Sequence, residues 1–184
     1  MKKYYILDNV LNKTENFKIY NYLVHTPMWH LSRFSFAPND FESSINNFPG
    51  MNIEQEGQTN NPFLSGYFQC LTSFVKDNFK NKYNFDLPND IFRIHLGAKN
   101  DKSQTLFHED SDDSLSWTIL GFLTPVWKSE DGGQIIVEGE EIDYVPGRFI
   151  IFKSNTLHNG GFVKDNNLDY WRISLNVILR NDRR

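Results

Sequence analysis

The segment Phe107-His108-Glu109-Asp110 sets an imidazole and a carboxylate two residues apart. Side chains at i and i+2 of an extended chain face the same way, so His108 and Asp110 point together while Glu109 points away. A neutral imidazole beside a carboxylate suits a divalent cation, because the pair supplies two ligands and cancels only one positive charge. Taken alone, the tetrapeptide reads more readily as a polar turn ahead of Asp112-Asp113. His158 stands at the end of a short predicted strand, where it reads either as a third ligand or as a hydrogen-bonded strand-end histidine. The single cysteine, Cys70, excludes a disulfide framework, a CxxC redox pair and any cysteine-based zinc or iron–sulfur site. Chemistry is left to His, Asp, Glu and Arg.

Two predicted strands carry polar residues on one face. In Trp171-Arg172-Ile173-Ser174-Leu175-Asn176-Val177, alternation puts Arg172, Ser174 and Asn176 on one side and the apolar residues on the other. Phe92-Arg93-Ile94-His95-Leu96 repeats the pattern with Arg93 and His95. Paired strands of this kind can line a polar pocket while apolar backs are covered elsewhere.

The cover is sought in the first half. After a short strand at 4–7, Asn12-Lys13-Thr14-Glu15 offers capping residues to a helix bearing Phe17, Tyr20, Leu23 and Val24. Residues 38–62 are rich in Asn, Gly, Pro, Ser and Gln and read as a long loop, a candidate lid. A second helix follows, with Phe63, Tyr67, Leu71, Phe74, Val75, Phe79 and Tyr83 on one side and Cys70 expected to be buried. Beyond Pro88 the predicted strands are 91–96, 104–110, 115–123, 134–138, 142–144, 148–152, 156–158 and 170–179, separated by Gly, Pro, Asn and Asp turns. Such spacing fits a sandwich or barrel. Trp127 and Trp171 read as core. His25 and His30, beside the first helix, have no assigned role.

The order of the polar motifs is more specific than any one of them. A His-x-Asp, a distant histidine and then an Arg-x-Ser, joined to Leu123-Thr124-Pro125-Val126-Trp127, Asp131-Gly132-Gly133 and Val145-Pro146-Gly147-Arg148, resembles the non-haem Fe(II)/2-oxoglutarate-dependent dioxygenases. Within them it is similar to the prolyl-4-hydroxylase-like branch. The resemblance covers residues 91–180. It implies a mainly β fold, a double-stranded β-helix (jelly-roll) supported by two or three N-terminal helices. A single domain over 1–184 is expected, with 1–88 as helical support and long loop and 89–182 as the catalytic core.

The resemblance also implies roles. His108, Asp110 and His158 would bind Fe(II), and 2-oxoglutarate would chelate it as cosubstrate. Its far carboxylate would meet Arg172, helped by Ser174, with His95, Thr118, Phe122, Ile135 and Asn176 along the pocket. Relatives in this branch often carry Tyr where His95 and Phe122 stand. With O2, the implied reaction hydroxylates a C–H bond and releases succinate and CO2, with no catalytic group beyond the metal ligands. The carboxylate at Asp110 favours hydroxylation, since related halogenases have a small residue at that place. The expected substrate is a prolyl or other amino-acid side chain, in a protein, a peptide or a small amino-acid-like molecule.

Charge limits the partners. The net charge of −4 gives no basic footprint for nucleic acid. No apolar run approaches the roughly 20 residues that span a bilayer, and a cytoplasmic protein is expected. Glu109, Asp112 and Asp113 read as a solvated acidic turn or as a hold for a cationic substrate. Two other functions share the fold. An AlkB-like nucleobase demethylase typically has Arg-x-Asn-x-x-x-Arg on the last strand; here those places hold Arg172, Ser174 and Ile178, and Arg180 lies two residues further on. A non-catalytic cupin-like binding protein would have no reason to present Arg172 inward.

Overall fold

The computed structural model describes residues 2–31, 51–56, 64–101, 103, 106–164 and 170–181. Strand β1 (Tyr4–Leu7) leads to helix α1 (Lys13–Val24). The helix starts at a reciprocal cap: Glu15 N–H donates to the Asn12 side chain (3.0 Å), and Asn12 N–H donates to the Glu15 carboxylate (2.9 Å). Its buried stripe is Asn16, Ile19 and Leu23, while Phe17 and Val24 are exposed. The apolar residues alone set the helix phase one position off, because the inward stripe contains a polar residue. In the amide orientation that satisfies both of its groups, Asn16 donates to the Leu123 carbonyl (2.8 Å) and accepts from Gly147 N–H (3.1 Å).

Strands β2 (His30–Leu31) and β3 (Met51–Glu56) follow. The latter corrects the reading of 38–62 as uninterrupted loop, since residues 51–56 pair with β4 (Asp90–Lys99). Residues 38–50 and 57–62, and with them the rest of the lid expectation, lie outside the described residues. A π-helical turn (Leu64–Phe68) runs into α2 (Gln69–Tyr83), which ends at Asn84 in the left-handed region. Helix α2 buries Leu71, Thr72, Val75 and Phe79, whereas Phe74 and, in the preceding turn, Tyr67 are about half exposed. Cys70 is exposed rather than buried. At 3.6 residues per turn it lies off the stripe that Leu71, Val75 and Phe79 define.

The remaining strands are β5 (Trp117–Phe122), β6 (Ile135–Val137), β7 (Glu140–Ile142), β8 (Phe149–Lys153), β9 (His158–Gly160) and β10 (Arg172–Arg180). Two antiparallel sheets result. The larger has the order β1-β8-β5-β10-β4-β3-β2 and the smaller β7-β6-β9. Together they form a jelly roll. No strand forms over 106–110; His108 makes one bridge, to His158, and Asp110 follows in an irregular segment.

Alternation on β5, β8 and β10 divides the core into two layers. On one face of the large sheet, Ile119, Ile151, Ile173, Leu175 and Val177 pack with Leu23, Leu71, Val75 and Phe79 of the helices. On the other, Leu120, Phe122, Ile150 and Phe152 pack against Ile135, Val137 and Ile142 of the small sheet, with Trp127 and Tyr144. Trp127 is core, and Trp171 packs half-buried on the helical layer. No helix among the described residues is long and apolar enough to cross a membrane.

Gly121 pairs directly with Phe149, and a Cβ at Gly121 would stand 2.4 Å from that ring. Gly121→Ala is therefore expected to cost about 1–3 kcal/mol through overpacking. Adding Phe149→Leu should recover part of the loss. Urea denaturation of the two variants checks this; equal stability of Gly121→Ala and wild type would refute it.

Candidate metal and carboxylate site

The site lies on the face of the large sheet that looks toward the small one. Register β10–β4 pairs Arg172 with Lys99, Ser174 with Gly97, Asn176 with His95 and Ile178 with Arg93. Directly opposed residues share a face, so these eight positions form one strip across two strands. The alternation read from sequence holds, with Ile94, Leu96, Ile173, Leu175 and Val177 turned into the helical layer.

At one end of the strip stand His108, Asp110 and His158, whose candidate ligand atoms all lie within 4.8 Å of one another. His108 and His158 exchange both backbone hydrogen bonds, each at 3.0 Å. Asp110 N–H donates to the Ser154 carbonyl at the end of β8 (2.8 Å). These contacts seat the His-x-Asp segment without a strand. Extended backbone at His108 is enough to turn its side chain and that of Asp110 the same way, and Glu109 is exposed as expected.

Both imidazoles are oriented by backbone carbonyls. His108 Nδ1 lies 3.0 Å from the Leu106 carbonyl, and His158 Nδ1 lies 2.9 Å from the Thr156 carbonyl. A carbonyl only accepts, so each Nδ1 carries a hydrogen, and Nε2 is the nitrogen turned toward the cluster. The Nε2 atoms face Asp110 at 4.0 Å from His108 and 3.6 Å from His158. Burial pushes the His158 pKa down despite the opposing pull of Asp110.

Asp110, whose side chain is 2% exposed, is the most constrained of the three. Its carboxylate accepts from Arg93 (3.1 Å), Thr118 (2.8 Å) and Asn176 (3.2 and 3.0 Å). Thr118 Oγ1 is also 3.0 Å from Ser154 Oγ. Because the Thr118 hydrogen is engaged by Asp110, Ser154 donates to Thr118. Burial alone raises the Asp110 pKa, but His158, Arg93, Asn176 and Thr118 outweigh it and hold the group below the ordinary carboxylate value. Three donors on about four lone-pair sites leave acceptor capacity for a cation.

At the other end, the Arg172 guanidinium is fully buried. Its Nε donates to the Gly133 carbonyl (2.9 Å), and its carbon lies over the rings of Tyr144 (4.8 Å) and Phe122 (5.7 Å). Those rings stack on each other with centroids 4.3 Å apart. Burial pushes the Arg172 pKa down from its usual value, which for guanidinium leaves the charge in place. Gly133 has φ +73°, and a Cβ there would stand 2.9 Å from the arginine side chain. The Gly132-Gly133 turn is thus shaped to seat Arg172.

The sequence-predicted residues divide between the two ends. Asn176 and Thr118 hold Asp110, His95 pairs with Asn176, and Ser174 lies between the ends opposite Gly97. Phe122 supports Arg172, and Ile135 is buried in the core between the sheets. The Tyr144 hydroxyl donates to the Ile173 carbonyl (2.6 Å) and accepts from Thr124 N–H (2.9 Å), fixing the wall rather than the pocket. Lys99 escaped the sequence reading, although the alternation Arg93, His95, Gly97, Lys99 contains it. Taking Gly97 as a strand end cut the pattern short.

These residues fit a divalent ion and a dicarboxylate. The donor set is two imidazoles and one carboxylate, as expected for non-haem Fe(II). Asn176 Oδ1 is buried without a hydrogen-bond partner beside that set, and the buried guanidinium offers a planar fork to an anion.

Burial pushes the His95 pKa down to about 4, with Arg93 adding to the effect. The unfolded chain binds a proton there below about 6.5, and the fold does not until about 4. Stability of the metal-free protein should therefore fall as pH drops through that window. His95→Gln should reduce the slope by up to one proton, measured by urea denaturation across pH. An unchanged slope would contradict this.

No family model matches the sequence, and no curated protein does. Solved structures do share the fold. A prolyl-4-hydroxylase from Pseudomonas putida is 13% identical, with 97% of this chain and 92% of that chain covered and a TM-score of 0.64. A prolyl hydroxylase from Trichoplax adhaerens, solved with a hypoxia inducible factor oxygen degradation domain peptide fragment, is 17% identical over 96% and 82%, with a TM-score of 0.62. The non-haem α-ketoglutarate-dependent epimerase SnoN from nogalamycin biosynthesis is 13% identical over 96% and 77%, with a TM-score of 0.65. The fold is that of the 2-oxoglutarate/Fe(II) oxygenases.

Proposed function

We propose that the protein is an Fe(II)- and 2-oxoglutarate-dependent dioxygenase that hydroxylates a C–H bond, with a peptide or amino-acid-like molecule as substrate. The observation that carries this reading is the shared sheet face: three convergent ligands at one end of a strip, and a buried, seated guanidinium at the other.

In this reading His108 and His158 ligate through Nε2 and Asp110 through a carboxylate oxygen. Arg93, Thr118 and Asn176 keep that carboxylate from rotating, so the ligands are placed before the ion arrives. Arg172 takes the far carboxylate of 2-oxoglutarate through its fork, and the Phe122 and Tyr144 rings beneath it keep water away from the ion pair. The bound iron and keto acid supply the oxidising chemistry, in which O2 yields succinate, CO2 and one hydroxyl group on the substrate. The protein supplies orientation.

Two features bear on the substrate. Leu106 and Phe107, just before His108, and Leu157, just before His158, are exposed apolar side chains. A peptide or apolar side chain would find contacts beside both imidazoles. The prolyl hydroxylase neighbour with a peptide fragment adds to this reading. Against the nucleobase alternative, Arg180 lies at the far end of β10 with its guanidinium 3.6 Å over the Phe92 ring. Against the binding-protein alternative, Arg172 is turned inward, on the same sheet face as Asn176 and His95.

Anaerobic protein with Fe(II) and 2-oxoglutarate should develop a visible charge-transfer band, absent in His108→Ala. Arg172→Ala should weaken 2-oxoglutarate about tenfold or more, the loss expected for a charge-assisted contact. A peptide and amino-acid panel scored for succinate and for the gain of one oxygen atom would then identify the substrate. No band in the wild type would overturn the proposal.

A further inference from the structure

Arg172 does not face the pocket alone. Lys99, its direct partner across the β4–β10 register, shares its face of the sheet. Lys99 Nζ donates to the Gly160 carbonyl at 3.2 Å. The two cationic heads meet over that residue. A Cβ on Gly160 would lie 3.1 Å from Lys99 Nζ and 3.9 and 4.0 Å from the two terminal nitrogens of Arg172. A side chain there would crowd both heads, and glycine avoids that contact.

Two positive groups this close repel. Burial pushes the Lys99 pKa down to about 7, and Arg172 pushes in the same direction. An anion placed between them relieves the repulsion and restores the ammonium, so the pair favours a carboxylate over a neutral group of the same size. A carboxylate has about four acceptor sites, enough for a guanidinium fork and an ammonium together. Asp110, the carboxylate of the strip, is at the opposite end and engaged by Arg93.

We infer that Lys99 is a second cationic contact for the far carboxylate of the keto acid, set beside Arg172, and that Gly160 holds open the space both reach into. This rests on the proposed 2-oxoglutarate dependence. Lys99 becomes a specificity residue: it separates five-carbon keto acids that end in a carboxylate from those that end in a methyl.

The test uses Fe(II)-loaded protein without O2, titrated with 2-oxoglutarate and with 2-oxovalerate. Both present the same chelating head and chain length, and only the first has a far carboxylate. Affinity is read from the charge-transfer band and from tryptophan fluorescence. Lys99→Met is expected to reduce the preference for 2-oxoglutarate at least tenfold while changing 2-oxovalerate binding little. Lys99→Arg should restore most of the preference. Lys99→Gln, which keeps a donor for the Gly160 carbonyl, covers the case in which the Met variant does not fold. Gly160→Ala, whose methyl would occupy the space, should act in the same direction as Lys99→Met.

Equal preference in wild type, Lys99→Met and Lys99→Gln would overturn the inference and leave Lys99 as a structural donor to Gly160. Wild-type protein that binds neither keto acid would overturn the dioxygenase reading and this inference with it. Wild type that binds 2-oxoglutarate while the Lys99 variants keep its preference overturns the inference alone.

Discussion

A carboxylate buried among strands is costly unless donors surround it, and Asp110 is the group on which the site is built. Desolvation penalises its charge, whereas Arg93, Thr118, Asn176 and the adjacent His158 restore it. The donors come from β4, β5 and β10, three neighbouring strands of the large sheet. The carboxylate thus reports on whether that sheet is assembled in register. A one-residue slip of β10 against β4 would turn Asn176 into the helical layer and remove the clamp. Fold and site are coupled at this side chain.

The same register creates the opposite end of the strip. Because β10 alternates, the residue four positions before Asn176 faces the same way, and four residues of strand span about 13 Å. Arg172 therefore lies well away from the ligand cluster on a rigid element. Its charge is kept by stacking on aromatic rings and by the Gly133 carbonyl, and its position by the absence of a side chain at Gly133. The chain invests glycine where backbone and long cations approach: Gly133 under Arg172, and Gly160 between Arg172 and Lys99.

The ligand triad was legible because its cue is local. His108 and Asp110 need only extended backbone to turn the same way, so they converge with His158 although 106–110 is no strand. Arg172, Ser174 and Asn176 were legible from period-two alternation. Other features depend on tertiary context. Asn16 is inward on α1 because distant backbone groups at Leu123 and Gly147 need partners, which no helical pattern reveals. Residues 51–56 form a strand because β4 offers an edge, though their composition reads as loop. Thr118 and Asn176 were expected along the cosubstrate pocket, whereas their polar hydrogens go to Asp110; only the packed sheet fixes that choice. Lys99 was hidden by a glycine that punctuates sequence yet continues the strand.

Anaerobic calorimetric titration with Fe(II) tests the central claim, that a carboxylate clamped by the sheet organises a three-ligand metal site. Wild type is expected to bind one ion per chain, Asp110→Ala none, and Thr118→Val, which removes a single donor to the carboxylate, one ion about 10–100-fold more weakly. Wild type without stoichiometric binding, or Asp110→Ala binding as wild type does, would contradict the account.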